Sequence, residues 1–216
     1  MTDNEFYTML VSKTGKVALP DFSNVSLSSL CYSLTMNQVT LRVLENCSFG
    51  DHKGQFEEVF HHYVPRQIVG QGQYLAQLNH VLEAFQPESP SPYKDLTKAV
   101  FLSAKYLSAY SSVDDYKAKI QEQVNKEKDV KIFLEKFRLL SSLPKMYFWK
   151  ACSFFSSNGI LEVPSLTPAG KDILIKAFSL SDENGALYQK VLDLSKENNV
   201  SVYEINLRLA KLSRHA

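Results

Sequence analysis

Cys31 and the adjacent pair His61-His62 are the first residues in this chain whose types suggest chemistry. A thiol beside an imidazole is the minimal nucleophile–base couple. A reactive thiol needs an electropositive, accessible seat such as a helix N-terminus. Cys31 instead falls on an apolar stripe with Leu27, Leu30 and Leu34, spaced as on one helix face. The expectation is a buried, inert thiol. Cys47, His52, His61 and His62 could be imagined as metal ligands. Zinc sites, however, take their ligands in short pairs such as Cys-x-x-Cys or His-x3–5-His, and neighbouring histidines point to different faces of a helix. The chain has no phosphate-binding glycine loop, no dinucleotide fingerprint, no H-E-x-x-H and no G-x-S-x-G. No catalytic residue, metal or cofactor is assigned on these patterns, and a non-enzymatic protein is expected.

A second set of residues belongs to a binding motif. In Leu194–Leu209, LSKENNVSVYEINLRL, Ser195 is followed four positions later by Asn199, then Val200 and Ser201, with Ile205 further on. Asn tolerates the left-handed conformation that a tight interhelical turn needs. This order resembles a helix-turn-helix. The preceding stretch, FFSSNGILEVPSLTPAGKDIL, resembles part of a winged helix. The resemblance implies that the last helix would enter a major groove, with Tyr203, Asn206, Arg208 and Lys211 as nucleic-acid contacts. It departs from the pattern at Asn198, where an apolar residue is usual, and at Glu204, expected to face outward. Residues 151–216 carry seven basic and seven acidic side chains, whereas DNA-binding proteins neutralise several phosphates.

The element expected to organise the fold is Leu143–Gly159, LPKMYFWKACSFFSSNG. Pro144 suits a first helical position, Ser142 lies near the cap, and Asn158-Gly159 supplies a left-handed stop. Between them the helix is apolar nearly all round, which predicts burial on several sides. Helix 144–158 is therefore expected as a buried aromatic core element. The alternative is a face kept for a partner, with Tyr147 and Trp149 as anchors and Lys145 and Lys150 beside them.

The remaining pattern predicts a predominantly α protein with a minor β component near the N-terminus. A hairpin around Gly15 competes with a short first helix. Val39, Leu41 and Val43 alternate with polar residues as in a strand, and Ile160–Val163 reads as another. Phe56, Val59, Phe60, Tyr63 and Val64 return to helical spacing, stopped by Pro65. Gln86–Tyr93 holds three prolines, which cannot continue a helix. It separates a small mixed α/β part, 1–86, from a helical part, 93–216; the alternative is one continuous domain with a shared core, in which the proline segment is only a loop. Good helix starts appear at Ser112, at Thr167-Pro168 and at Ser201-Val202-Tyr203-Glu204.

Hydrophobic content of 44% and charge of 22% suit a globular chain of 216 residues. The net charge of +1 gives no global bias to nucleic acid or membrane. Residues 1–93 are net −4 and residues 94–150 net +5, so the middle offers a basic surface to an acidic partner. Three unpaired-looking cysteines and no apolar leader or membrane-length run predict a reduced, cytoplasmic protein without a transmembrane segment. Phe133–Leu140, FLEKFRLL, followed by Ser141-Ser142 and the aromatic helix, resembles the C-terminal helices of small adaptor subunits in bacterial type IVB secretion systems. That resemblance implies a non-enzymatic subunit docking on other protein subunits. The combined expectation is a protein–protein interaction module or adaptor, with a nucleic-acid binder as the alternative.

Overall fold

The computed structural model describes the backbone of residues 1–140 and 147–214, and the side chains of these except 138–140. Among the described residues every regular element is helical. In chain order they are α1 (Asp3–Thr14), α2 (Leu27–Gln38), α3 (Leu41–Asn46), α4 (Lys53–Val59), a tight turn His61–Tyr63, α5 (Pro65–Gly70), α6 (Tyr74–Phe85) and α7 (Pro90–Leu107). There follow α8 (Val113–Glu127), α9 (Val130–Leu140), α10 (Phe148–Ser157), α11 (Pro168–Phe178), α12 (Asn184–Glu197) and α13 (Val202–Leu212). They form two compact units. One comprises 1–23 and 155–216, the other 24–154. The second boundary falls inside α10, and the proline segment lies within the 24–154 unit.

The strands expected from the sequence are absent among the described residues. At Val39–Val43 the Thr40 hydroxyl accepts from the Val43 N–H and starts α3. A Thr N-cap is worth about 1 kcal/mol, and it outweighs a three-residue alternation. Leu41, which a strand would have buried, is 76% exposed. At Ile160–Val163 the Asn206 side chain takes the place of a ladder. Its amide donates to the Val163 carbonyl (2.9 Å) and its oxygen accepts from Ser165 N–H (2.9 Å). Near the N-terminus, the helix wins over the hairpin. Thr2 and Glu5 close a capping box, and Gly15 ends α1 at φ 60°, its N–H donating to Val11 O.

In the 24–154 unit the organising helix is α7. Tyr93, Leu96, Val100, Ala104 and Leu107 are buried at three- and four-residue spacing. Ala99 and Ser103 keep part of that surface small. Helices α2, α3, α5 and α6 all pack against α7. Thr97 and Ser103 return their hydroxyls to carbonyls one turn back, Tyr93 and Ala99, so their burial leaves no unmet donor. The proline segment reverses the chain between α6 and α7. Gln86 caps α6 in the left-handed conformation (φ 43°), and Pro90 opens α7 where its missing N–H costs nothing. Phe56 stacks on Phe85 at 4.2 Å and on Phe49 at 5.0 Å.

In the 1–23/155–216 unit, α1 packs on α12 and α13, and α11 packs on both α12 and α13. Phe6 and Leu10 of α1, Leu187, Val191 and Leu194 of α12, and Ile205 and Leu209 of α13 are buried. Thr167 caps α11 by accepting from Gly170 N–H, with Pro168 next. Gly159 (φ 63°) is required by two constraints: its backbone is left-handed, and a Cβ there would strike the Phe22 ring.

Candidate functional site

The expected nucleic-acid contacts lie on α13. The interhelical turn has the anticipated form: Asn199 is left-handed (φ 51°), and Ser201 accepts from Glu204 N–H to start α13. The side chains, however, are turned to α1 and its neighbours. Arg208 is 7% exposed. Its Nη1 donates to Thr14 Oγ1 and to Gly15 O, both at 2.8 Å, and its Nε to Glu204 Oε1 at 2.9 Å. Lys211 Nζ donates to Thr14 O at 2.5 Å and lies 3.4 Å from Lys16 O. Together they satisfy carbonyls that the last turn of a helix leaves without a partner, and they place positive charge at the negative end of the α1 dipole. Asn206 is buried and also donates to Ser156 Oγ at 2.9 Å. Tyr203 is half-buried with its ring 5.1 Å from Phe22.

Glu204, expected outward, accepts from Tyr7 OH at 2.7 Å and pairs with Arg208 at 2.8 Å. Burial opposes its charge, but the hydrogen bonds from Tyr7 and Arg208 prevail and hold the carboxyl below its ordinary value. On the other side of the contact, burial and the Glu204 hydrogen bond raise the Tyr7 phenol.

The expected aromatic anchors are placed at the start of α10. Tyr147 precedes the helix and is 66% exposed, while Trp149 and Lys150 are half-buried. Ser142, Pro144 and Lys145 lie outside the described residues. The helix therefore differs from the fully enclosed element its composition suggests. Ala151, Cys152, Phe154 and Phe155 are buried, and its beginning meets solvent.

Cys31 is fully buried, and desolvation pushes its thiol up to about 12. That is the reverse of the shift an activated nucleophile needs. Among the described residues no group of three or more His, Cys, Asp and Glu is placed to hold a metal ion.

The structure brings together a third set of residues that the sequence did not single out as a site. After α4 the chain does not continue as a helix to Pro65. His61, His62 and Tyr63 are all left-handed, with φ of 49°, 50° and 59°. For residues other than glycine this costs about 1–2 kcal/mol each. The turn is closed by Tyr63 N–H to Phe60 O (2.9 Å) and Val64 N–H to His61 O (3.0 Å). Pro65 then opens α5 rather than ending a helix. The turn carries the Tyr63 ring against Tyr32 of α2, edge to face at 5.1 Å. Here a cleft of about 340 Å³ opens between the first turns of α2, helix α4 and the turn. Tyr63 lines it at 3% exposure, and its buried hydroxyl has no hydrogen-bond partner. Such a group costs about 1–3 kcal/mol. Burial raises the phenol first, then the nearby Tyr32, Glu57 and Cys31. Tyr32 and Glu57 both line the cleft beside Tyr63.

No family model matches this chain, and neither does any curated protein or solved structure.

Proposed function

We propose that the protein is a non-enzymatic protein–protein interaction module, an adaptor or subunit of a larger complex. The observation that carries the proposal is the exposed Tyr147 with Trp149 and Lys150 at the start of α10. Tyr and Trp supply large rigid contact area and are the residues that dominate protein interfaces. Lys150 adds to the net positive charge of residues 94–150, which favours an acidic partner surface. The narrower reading, a subunit of a bacterial type IVB secretion machine, draws on the FLEKFRLL resemblance. Three of its residues, Phe133, Leu134 and Phe137, are core positions of α9. The nucleic-acid alternative has its turn at Asn199. Its contact residues Asn206, Arg208 and Lys211 are engaged with α1 and the 156–165 segment, so no observation favours it over the adaptor.

The test is a tagged pull-down from native lysate, nuclease-treated, at low and high salt. Wild type is compared with Tyr147→Ala/Lys150→Ala, at the exposed Tyr147 and the half-buried Lys150, with the melting temperature of the variant as the check on its fold. A stoichiometric protein that survives high salt with wild type and is lost with the double variant supports the proposal. A monomer that retrieves nothing, or a partner indifferent to both substitutions, refutes it.

A further inference from the structure

The cleft beside Tyr63 combines a buried donor without an acceptor, a cation and the start of a twelve-residue helix. Tyr63 contributes the hydroxyl. Lys53 of α4 stands on the wall, 6.0 Å from the Tyr32 ring centre. Ser28 and Ser29 bring the first turn of α2 to the same cleft. Ser26 caps this turn, its hydroxyl accepting from Ser29 N–H and its carbonyl from Leu30 N–H, so the turn offers a negative charge the N–H groups of Leu27 and Ser28 and the helix dipole. A hydroxyl, an ammonium and a helix N-terminus converge on one ligand chemistry, an oxyanion. The volume suits a small molecule rather than a protein segment.

We propose that this cleft binds a small ligand through a carboxylate or phosphate group, received by Lys53, the Tyr63 hydroxyl and the first turn of α2. Glu57 is the one acidic group on the wall. It pairs with Lys53 at 3.8 Å, but the two side chains are 39% and 58% exposed. Exposed pairs of this kind are weak, so an incoming oxyanion takes Lys53 from Glu57 at little cost. The Tyr32 ring forms an apolar wall for the remainder of the ligand. The three left-handed residues of the turn then have a physical role: they hold the Tyr63 ring where its hydroxyl serves a ligand instead of the core. This site is independent of the α10 surface, and either can fail alone.

Backbone amide NMR on the full chain tests it, with inorganic phosphate and succinate as separate probes. Saturable shifts are expected at Leu27–Leu30 and His61–Tyr63 with at least one probe, and the probe that binds more tightly identifies the source of the oxyanion. Tyr63→Phe and Lys53→Ala should each weaken binding about tenfold or more. Glu57→Gln should tighten it severalfold. Tyr63→Phe should melt no lower than wild type, because it removes an unsatisfied hydroxyl without changing the ring. Absence of saturable shifts with both probes overturns the site. So does binding unchanged by Tyr63→Phe and Lys53→Ala. Weaker binding in Glu57→Gln also overturns it, since that result marks a cation as the ligand.

Discussion

The polar side chains of α13 and the hydroxyl of Tyr63 are both buried, and the two regions meet that burial in opposite ways. Asn206 spends its amide on Ser156, Val163 and Ser165, and Arg208 spends its guanidinium on Thr14, Gly15 and Glu204. Apart from the Arg208–Glu204 pair, one turn apart on α13, these bonds join segments far apart in sequence within one unit. Near α4, Tyr63 is as deeply buried, sits on a backbone with three left-handed residues, and bonds to nothing. A satisfied buried network stabilises a structure, and an unsatisfied group weakens it. Residue type alone would have ranked the two the other way. Arg, Lys and Asn on a final helix suggest nucleic acid, whereas a Tyr at helical spacing suggests core.

The largest effect that separates these regions is expected at Arg208. Arg208→Ala takes their donor from Thr14 Oγ1 and Gly15 O and leaves the Glu204 carboxylate its hydrogen bond from Tyr7 but no cation. Removing one member of a buried charged pair costs about 3 kcal/mol or more, so urea denaturation should show a loss of that size. A loss below about 1 kcal/mol would mean that water replaces the guanidinium and that α13 is not held to α1 in this way.

Glu204 gives a smaller, pH-dependent effect of defined sign. Its carboxyl is held below its ordinary value, so its contribution is fully present above the unfolded carboxyl's pKa of about 4.3. It is lost as pH falls through the folded value. Glu204→Gln should therefore be less stable than wild type by about 1 kcal/mol near pH 7, and the two should converge in acid. The check is denaturant unfolding of both proteins from pH 7 down to about 3. A gap that stays constant would place the contribution in packing rather than charge.

Helix starts were the most legible part of the fold. Ser112, Thr167 and Ser201 all cap helices where their spacing predicts, because a cap is a local bond between neighbours in sequence. The two strands failed for a related reason. Val39–Val43 is settled by the local Thr40 cap, but Ile160–Val163 is settled by Asn206, some forty residues away. No window on the chain contains that bond. The role of α7 was hidden because its packing face includes Ala99, Ser103 and Ala104, which score low for hydrophobicity yet let neighbours approach. Helix α10 drew attention through its aromatic density, but density does not say which end meets water. The cleft was the least legible. His61-His62-Tyr63 contains neither Gly nor Asn, the residues that announce left-handed backbone, so its spacing reads as continued helix.

That turn supplies the smallest effect and the most direct check on its strain. His62 is exposed, at φ 50° and ψ 32°, and its imidazole can be removed with little loss of packing. Glycine adopts this conformation without the steric cost of about 1–2 kcal/mol borne by other residues. It gives back about 0.5–1 kcal/mol through the greater entropy of the unfolded chain. His62→Gly should therefore be more stable than wild type by up to about 1 kcal/mol. Glu58→Gly is the matched control, exposed four residues earlier on right-handed α4, where glycine should cost about 1 kcal/mol. Opposite signs at the two positions, read from paired thermal and urea unfolding, would establish a strained turn between relaxed helices. Equal losses would show that the backbone at His62 is relaxed. The cost stored beside the cleft would then lie in two unpartnered buried atoms of the turn, the Tyr63 hydroxyl and His61 Nε2.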